Sequence, residues 1–359
     1  MKKIVTILGA RPQFVKAAVL SRVISKYHKV EEFIIHTGQH YDANMSDIFF
    51  DEMEIPKPKY NLAINGLSHG AMTGQMLSKI EEVLLAEKPD LVVVYGDTNS
   101  TLAGSLSAKK LHIKVAHVEA GLRSFNMKMP EEINRILTDR ISDLLLCPTG
   151  TAIDNLKMEG FENMPSKIVR SGDIMKDAVE FYSEISQEKS TIIADLKLKK
   201  NEFALATIHR QENTDDLEKL KSIFKGLEAI SKEKNVLMPL HPRTRAILEK
   251  NKLNFNIKFI DPVGYFDMLE LLKNCNLVVT DSGGLQKEAF FNKKHCIVAR
   301  EETEWVELVS NGFANIVGSD SVKMVDSFKF FQNLHLDFNI DLFGNNVGEK
   351  IYHEIMSIL

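Results

Sequence analysis

The amino-acid sequence predicts an α/β protein built from two doubly wound domains, each with a parallel sheet between layers of helices. Short apolar runs alternate with longer amphipathic stretches along the chain, a pattern typical of strands joined by crossover helices. The length of 359 residues suits two domains. Hydrophobic residues make up 44% of the chain and charged residues 26%, which favours a globular protein over a disordered or fibrous one.

The first series of elements begins with a buried strand at residues 4–8 and an amphipathic helix at residues 13–26. Further strands are predicted at residues 33–37, 91–95, 115–118 and 144–147. Helices are predicted between them at residues 68–87, 99–111 and 130–141. The run at residues 91–95 is apolar throughout, as expected in the middle of a parallel sheet, and residues 166–173 end the series.

A second series repeats the alternation of strand and helix. Its strands are predicted at residues 203–208, 236–240, 257–260, 277–280 and 296–299. We therefore expect an N-terminal Rossmann-like domain at residues 1–170 and a C-terminal Rossmann-like domain at residues 171–345. A terminal helix at residues 346–359 is expected to pack back on the N-terminal domain. The two domains should face each other across a cleft, with ligands beyond the carboxyl ends of the strands.

Charge, cysteine content and hydropathy narrow the function classes. The formal net charge of -4 provides no general basic field for nucleic acid, so an anionic ligand needs a local cluster of cations. Cys147, Cys275 and Cys296 form no close-spaced pair, which favours a reduced cytoplasmic protein without a zinc site. No run approaches a membrane-spanning length, and the run at residues 4–8 is too short for a signal peptide, so no membrane association is expected.

Three carboxylates follow strands or open a helix in the N-terminal domain. Asp97 and Glu119 come directly after apolar strands, and Glu131 lies in the first turn of the helix that Pro130 begins. Taken singly, each is more often a helix cap or a dipole partner than a catalytic group. Because parallel strands end at one rim, we expect the three to converge and to perturb one another's proton affinity. That arrangement suits proton transfer to and from carbon.

The loop after the first strand contains neither a GxGxxG sequence nor a P-loop, so no dinucleotide or ATP site of those types is predicted. Arg11 lies in this loop and Lys16 in the first turns of the following helix. Both can meet an anion at the positive end of the helix dipole. Taken alone, however, two such cations are more often solvated than bound to a ligand.

Cationic groups and a glycine pair follow the strands of the C-terminal domain. His209-Arg210 follows the first of these strands, and His241 follows the second. The Ser282-Gly283-Gly284 turn opens a helix whose free N–H groups can bind phosphate, and Glu288 one turn later can accept hydrogen bonds from a ribose. Such a turn alone is weak evidence. Together with the neighbouring cations it predicts a nucleoside diphosphate ligand.

Seven motifs in chain order resemble those of the non-hydrolysing UDP-N-acetylglucosamine 2-epimerases, and they span nearly the whole chain. They are Gly9-Ala10-Arg11-Pro12, Thr37-Gly38-Gln39-His40, Tyr95-Gly96-Asp97-Thr98, His117-Val118-Glu119-Ala120-Gly121-Leu122-Arg123, Pro130-Glu131-Glu132-Ile133-Asn134-Arg135, His209-Arg210 with Glu212-Asn213, and Asp281-Ser282-Gly283-Gly284. The resemblance implies a GT-B-like fold, a homodimer, no cofactor, and a role in supplying precursors of cell-surface polysaccharide.

The family chemistry is elimination of UDP across C1–C2 of the sugar, followed by re-addition with a proton on the other face of C2. The resemblance implies that Asp97, Glu119 and Glu131 are the acid–base carboxylates and that His209 lies near the leaving diphosphate. It also implies substrate or UDP contacts at Arg11, Lys16, Arg135, Arg210, His241, Tyr265, Ser282, Gly283, Gly284 and Glu288. A regulatory site is implied at Gln39 and His40.

Departures from the family pattern leave the sugar substituents open. Trp305 stands where simple epimerases often carry Arg, and Met268 where an aromatic residue often lies near the uracil. The sequences around Arg11 and Trp305 in this chain are similar to those of a branch of the family that acts on UDP-2,3-diacetamido-2,3-dideoxy-glucuronic acid. That substrate is therefore the alternative to UDP-N-acetylglucosamine. Three further functions stay open, namely a hydrolysing epimerase, a glycosyltransferase of the same fold and an inert nucleotide-sugar sensor. The three carboxylates have no obvious purpose in the last two.

Overall fold

The computed structural model describes residues 1–39, 53 and 55–359. Within this part the chain forms two compact units. The first comprises Met1–Ala178 together with Asp341–Leu359, and the second comprises Val179–Ile340. The sequence-based boundary near residue 170 lies at the end of the last strand of the first unit.

The first unit is built around a parallel sheet of seven described strands. They are β1 (Lys2–Leu8), β2 (Val30–His36), β3 (Tyr60–Asn61), β4 (Leu91–Tyr95), β5 (Lys114–Val118), β6 (Leu144–Cys147) and β7 (Lys167–Arg170). The associated helices are α1 (Arg11–Tyr27), α2 (His69–Glu87), α3 (Asn99–Lys110), α4 (Pro130–Ile141), α5 (Gly150–Met158) and α6 (Ile174–Lys189), the last of which continues into the second unit.

The spatial order of this sheet is β3-β2-β1-β4-β5-β6-β7. The chain therefore winds outwards from β1 in one direction and then from β4 in the other. Ile4 pairs with Leu91 at the junction, so the loops that follow β1 and β4 leave the same edge side by side. In doubly wound sheets this reversal creates the crevice in which ligands bind.

The second unit repeats the plan with six described parallel strands in the order β10-β9-β8-β11-β12-β13. They are β8 (Phe203–Thr207), β9 (Asn235–Pro239), β10 (Lys258–Ile260), β11 (Val278–Thr280), β12 (Cys296–Val298) and β13 (Ala314–Ile316). Its helices are α7 (Ile192–Asp195), α8 (Gln211–Thr214), α9 (Leu217–Ser231), α10 (Pro242–Lys250), α11 (Tyr265–Asn274), α12 (Gly283–Phe291), α13 (Val306–Ser310) and α14 (Ser321–Gln332). The reversal here lies between β8 and β11.

The chain ends in α15 (Val347–Ile358), which packs on α1 in the first unit. The ring of Tyr352 stacks on Tyr27 with centroids 4.6 Å apart. The two helices approach closely at Gly348, where a Cβ would lie 2.8 Å from the side chain of Val19. No helix among the described residues is long and apolar enough to cross a membrane.

The predicted fold class is confirmed, and the strands predicted at 4–8, 91–95 and 144–147 lie where the sequence places them. Two strands were missed. β3 has only two residues, and β13 is a three-residue edge strand that contains Asn315, so neither presents an apolar run. Short edge strands take their conformation from pairing with a neighbour rather than from their own sequence.

Candidate active site

A buried glutamine joins the two loops at the reversal point of the first sheet. The side-chain oxygen of Gln13 accepts from the backbone N–H groups of Gly9 and Ala10 at 2.8 and 3.0 Å. Its amide nitrogen donates to the Tyr95 carbonyl oxygen at 2.7 Å and to the Thr101 hydroxyl at 2.9 Å. The start of α1 is thereby fixed against the loop that carries Asp97.

Gly9 has to be glycine at this junction. A Cβ there would lie 2.0 Å from the Ser100 hydroxyl oxygen and 2.2 Å from that of Thr37, which no side chain can accommodate. The two hydroxyls hydrogen-bond to each other at 2.8 Å, and Ser100 also donates to the side-chain oxygen of Gln39 at 2.8 Å. The loops after β1, β2 and β4 are therefore in direct contact.

Glu119 forms an ion pair with Lys16, and both side chains are almost fully buried. Its backbone has φ +73°, in the left-handed region that non-glycine residues rarely adopt. A Cβ at Gly96 would lie 3.3 Å from the Glu119 carboxylate and 3.6 Å from the Lys16 ammonium, so glycine leaves room for the pair. Strained backbone of this kind persists where surrounding contacts fix it, and it concentrates at functional sites.

Asp97 is held by Arg135 of α4. The Nε of Arg135 donates to Asp97 Oδ2 at 3.1 Å, and Nη2 contacts the same oxygen. The Nη1 of Arg135 donates to the buried Glu132 at 3.0 Å. Asp97 keeps 28% of its side chain exposed whereas Arg135 keeps 5%, so the acid faces solvent with the cation behind it.

Glu132 has a different task from its neighbour Glu131. It is fully buried and accepts from the Ser124 N–H and hydroxyl and from the Phe125 N–H, each at 2.9 Å. It thus fixes the loop before α4. Glu131 is exposed in the same helical turn, and within the described part of the chain it has no hydrogen bond or ion pair.

The structure therefore places Asp97 and Glu119 at one edge of the first sheet and Glu131 on the helix whose Arg135 binds Asp97. Lys16, predicted as a nucleotide contact, is engaged by Glu119. Gln39, predicted as part of a regulatory site, contacts Ser100 in this same loop cluster. The side chain of Arg11 and all of His40 lie outside the described residues.

In the second unit a buried carboxylate organises the loop after β8. Asp281 accepts from the His209 N–H at 3.0 Å and from the Arg210 N–H at 2.9 Å. Its other contacts are with Asn213 Nδ2 at 3.1 Å and with Nδ1 of the His209 ring at 3.3 Å. Asp281 is fully buried and the His209 side chain is 39% exposed, so the imidazole is presented outwards from a fixed base.

His241 stacks on His209 with ring centroids 5.6 Å apart. Its Nδ1 accepts from the Arg243 N–H at 3.2 Å and so caps α10. Partial burial and the neighbouring His209 and Arg243 lower the pKa of His241. An anion placed beside these groups would favour protonation of the imidazole.

The predicted phosphate site falls at the start of α12. The Ser282 hydroxyl caps the helix by accepting from the Leu285 N–H, and a Cβ at Gly284 would meet nothing within 4 Å. Close to Gly283 lies the buried ion pair of Arg300 with Glu304, 2.8 Å apart. Free N–H groups and open space at a helix N-terminus suit an anion.

Two further predicted contacts, Tyr265 and Glu288, lie on helices of this unit. Tyr265 is buried at the start of α11 with its ring against Tyr182, centroids 5.9 Å apart. Glu288 lies half-buried in the second turn of α12, as its spacing from Gly284 requires. Trp305 is buried, and the Lys287 ammonium lies 4.0 Å from the centroid of its ring.

In the described residues no group of three or more His, Cys, Asp or Glu could hold a metal ion.

Sequence reasoning missed Asp281 as an organising group, although it stands in one of the seven motifs. A carboxylate that directly follows an apolar strand is the signal that was available for Asp281. Two doubly wound units, one with ion-paired carboxylates at its sheet edge and the other with imidazoles and a helix N-terminus, define the class as Rossmann-like α/β proteins.

The comparisons with known proteins name the family. The chain matches the model of the UDP-N-acetylglucosamine 2-epimerase family over residues 22–347. A UDP-2,3-diacetamido-2,3-dideoxy-D-glucuronate 2-epimerase from Pseudomonas aeruginosa is 55% identical, over 99% of this chain and 100% of that protein. A UDP-N-acetylglucosamine 2-epimerase from Methanocaldococcus jannaschii is 43% identical, over 97% of each chain.

The fold agrees with a crystal structure of the Methanocaldococcus jannaschii UDP-GlcNAc 2-epimerase in complex with UDP-GlcNAc and UDP. The TM-score is 0.90 at 43% identity, with 99% of both chains covered. The chain belongs to the UDP-N-acetylglucosamine 2-epimerase family and is an isomerase.

Proposed function

We propose that the protein epimerises C2 of a UDP-linked 2-acetamido sugar without net hydrolysis. The observation that carries the proposal is the pair of carboxylates, Asp97 and Glu119, held at one sheet edge by Arg135 and Lys16. The carbon-bound hydrogen at C2 is not acidic, so its removal needs a positioned base and a leaving group on the neighbouring carbon.

The reaction proceeds by elimination and re-addition. A carboxylate takes the C2 proton, the C–H electron pair forms the C1=C2 double bond, and the C1–O pair leaves with UDP. Re-addition forms the C1–O bond again while a carboxylic acid protonates C2 from the opposite face. Asp97, Glu119 and Glu131 supply the base and the acid, and no atom is gained or lost overall.

The second unit binds the UDP part of the substrate. The pyrophosphate lies at the Ser282-Gly283-Gly284 turn, where the helix supplies N–H donors. His209 and His241 stabilise the charge that grows on the departing diphosphate. Asp281 fixes the loop that carries His209, and His241 is itself the N-cap residue of α10. Glu288 accepts from the ribose.

The favoured sugar is 2,3-diacetamido-2,3-dideoxy-D-glucuronate, and N-acetylglucosamine is the second candidate. Support comes from the identity of 55% with the Pseudomonas aeruginosa enzyme against 43% with the Methanocaldococcus jannaschii enzyme, both over nearly the full chain. Trp305, which the sequence sets apart from simple epimerases, lies beside Gly283 at the start of α12.

Parallel incubations with the two UDP-sugars test the proposal, with the anomeric protons followed by NMR. We expect a UDP-linked 2-epimer with no free sugar, formed faster from the diacetamido uronate. Free sugar would instead identify a hydrolysing epimerase, and no change in either substrate would contradict the proposal. A Glu119→Gln preparation, purified in the same way, controls for contaminating enzymes.

We further propose a homodimer that works in the cytoplasm. Exposed apolar side chains cluster in sequence around α4, namely Phe125, Met127, Ile133 and Leu137, which suits burial against a second copy. Three free, buried thiols suit a reducing compartment. Light scattering on the eluted protein should give twice the chain mass, and Leu137→Lys should lower it towards the monomer value.

A further inference from the structure

A buried polar network contacts the chain on both sides of Glu119. Asp139 of α4 is fully buried, and its two oxygens accept from residues on either side of Glu119. Oδ1 lies 2.7 Å from Nδ1 of His117, and Oδ2 accepts from the Gly121 N–H at 3.1 Å. His117 and Gly121, the two residues that Asp139 contacts, thus lie two positions before and two positions after Glu119, whose backbone is strained.

The network continues to both neighbouring loops. Nη1 of Arg123 donates to Asp139 Oδ2 at 2.7 Å, and Arg123 also pairs with Glu159 at 2.6 Å. Nε2 of His117 lies 2.6 Å from the carbonyl oxygen of Gly96, the residue before Asp97. Both ring nitrogens of His117 therefore face oxygen atoms, one of the Asp139 carboxylate and one of the Gly96 backbone.

We propose that Asp139 is the positioning residue for the two ion-paired acid–base carboxylates. It fixes the left-handed turn of Glu119 directly through His117 and Gly121, and it fixes the turn of Asp97 indirectly, since His117 bonds to Gly96. This inference rests on the proposed function, in which Glu119 and Asp97 exchange protons with C2.

Stability alone does not account for the network. Charged groups lose hydration on burial, and apolar replacements of similar volume are often equally stable or more so. Burial opposes ionisation of Asp139, but hydrogen bonds and charges from His117 and Arg123 outweigh it and lower the pKa of the carboxyl. What Asp139 provides through His117 and Gly121 is a fixed position for the Glu119 backbone, which otherwise relaxes out of φ +73°.

The test compares Asp139→Asn with Glu159→Gln, a matched change in the same network. Glu159 pairs with Arg123 but touches neither turn, and a third of its side chain is exposed. Misplacing a catalytic group by about 1 Å typically costs about 10²-fold in rate, so Asp139→Asn should lower kcat by that order with KM changed less than threefold. Glu159→Gln should stay near wild type in both.

A second readout separates positioning from general destabilisation. A displaced acid–base pair should release glycal and UDP from the stalled intermediate, which loss of folded protein does not produce. Both variants are therefore assayed well below their unfolding temperatures, and released glycal is measured. Equal kcat in Asp139→Asn and wild type, or a loss confined to KM, would overturn the proposal.

His117→Asn is the variant to measure if Asp139→Asn does not fold. It releases Gly96 while Asp139 keeps its bonds to Gly121 and Arg123, so kcat should fall below that of wild type by less than about 10²-fold, with KM nearly unchanged. Failure of both variants to fold would make the network a folding determinant and would overturn the positioning role. A crystal structure of the folded variant should show Glu119 outside the left-handed region. That result stands even if the wild type turns over neither UDP-sugar, which would refute the proposed function alone.

Discussion

The edges of the two sheets have the same topology but present different side chains outwards. In the first unit the outward group is the carboxylate of Asp97, with the guanidinium of Arg135 buried behind it. In the second unit the outward group is the imidazole of His209, with the carboxylate of Asp281 buried behind it. In each pair the more exposed group is backed by a buried charged group, Arg135 in the first unit and Asp281 in the second.

The difference between the edges indicates how one fold plan serves two chemical tasks. Strand reversal supplies a crevice in both units, between β1 and β4 and between β8 and β11. The loop residues then decide what the crevice does. Carboxylates suit proton transfer at carbon, whereas imidazoles and a helix N-terminus suit a diphosphate. Removing the outward group at either edge should therefore produce different kinetic effects.

The largest effect is expected at the first edge. Asp97→Asn, Glu119→Gln and Glu131→Gln keep the side-chain shape but cannot take up a proton, and general acid–base groups contribute about 10²–10⁴-fold in rate. Turnover should fall by that order, and the affinity for UDP measured by calorimetry should stay nearly unchanged. At least one variant should release UDP and glycal.

Glu81→Gln, on the exposed face of α2, is the matched control for these variants. If all three amide variants turn over within a few-fold of wild type, the carboxylates are structural and the assigned chemistry is wrong.

At the second edge His209→Ala should slow turnover by about 10²-fold, since a donor to developing charge is commonly worth about 3 kcal/mol. The loop itself should survive, because Asp281 holds it through backbone N–H groups that the substitution leaves in place. Steady-state kinetics measure the effect, with His335→Ala, an exposed histidine of the same unit, as control. Near-normal turnover would identify His209 as a loop residue only.

Gly284→Val should weaken UDP binding at least tenfold while the protein stays folded. A Cβ at Gly284 meets nothing within 4 Å, so the added side chain fills only the space assigned to the pyrophosphate. Gly150→Val is the matched control, since Gly150 also lies in the first turn of a helix with nothing within 4 Å. Calorimetric titration with UDP that gives equal affinities for Gly284→Val and Gly150→Val would exclude this phosphate position.

The smallest effect concerns pH. Because burial and positive neighbours lower the pKa of His241, a bound diphosphate should reverse that shift, and binding should take up a proton. UDP affinity should therefore rise as the pH falls through the neutral range, by no more than about tenfold per pH unit for one proton. His241→Gln should flatten the slope. Calorimetry in buffers of different ionisation enthalpy measures the uptake, and an unchanged slope in His241→Gln would refute the coupling.

Much of the fold was predictable from sequence because long apolar runs at residues 91–95 and 144–147 leave little choice besides buried parallel strands. Strand-end positions located Asp97 and Glu119 for the same reason. The ion pairs that support them were not predictable. Whether Lys16 bonds to Glu119 depends on side chains more than 100 residues apart, and sequence spacing does not determine such distances.

Buried organising residues were harder still. Asp139 stands in the last turns of α4, where its sequence context is that of an ordinary polar helix position. Only the register between α4 and the end of β5 reveals that it meets His117 and Gly121. The strained backbone of Glu119 is likewise a product of these contacts, since nothing in its own side chain favours a left-handed conformation.

The most direct test of the division of labour between the two edges is solvent exchange at C2. Wild-type protein is incubated with each UDP-sugar in deuterated water, and proton NMR follows the C2 hydrogen. We expect loss of the C2 proton signal in both epimers at equilibrium, with the sugar still linked to UDP, and no loss in Glu119→Gln on the same timescale. Epimer that retains the original C2 proton would contradict elimination and re-addition through solvent-exchanging carboxylates.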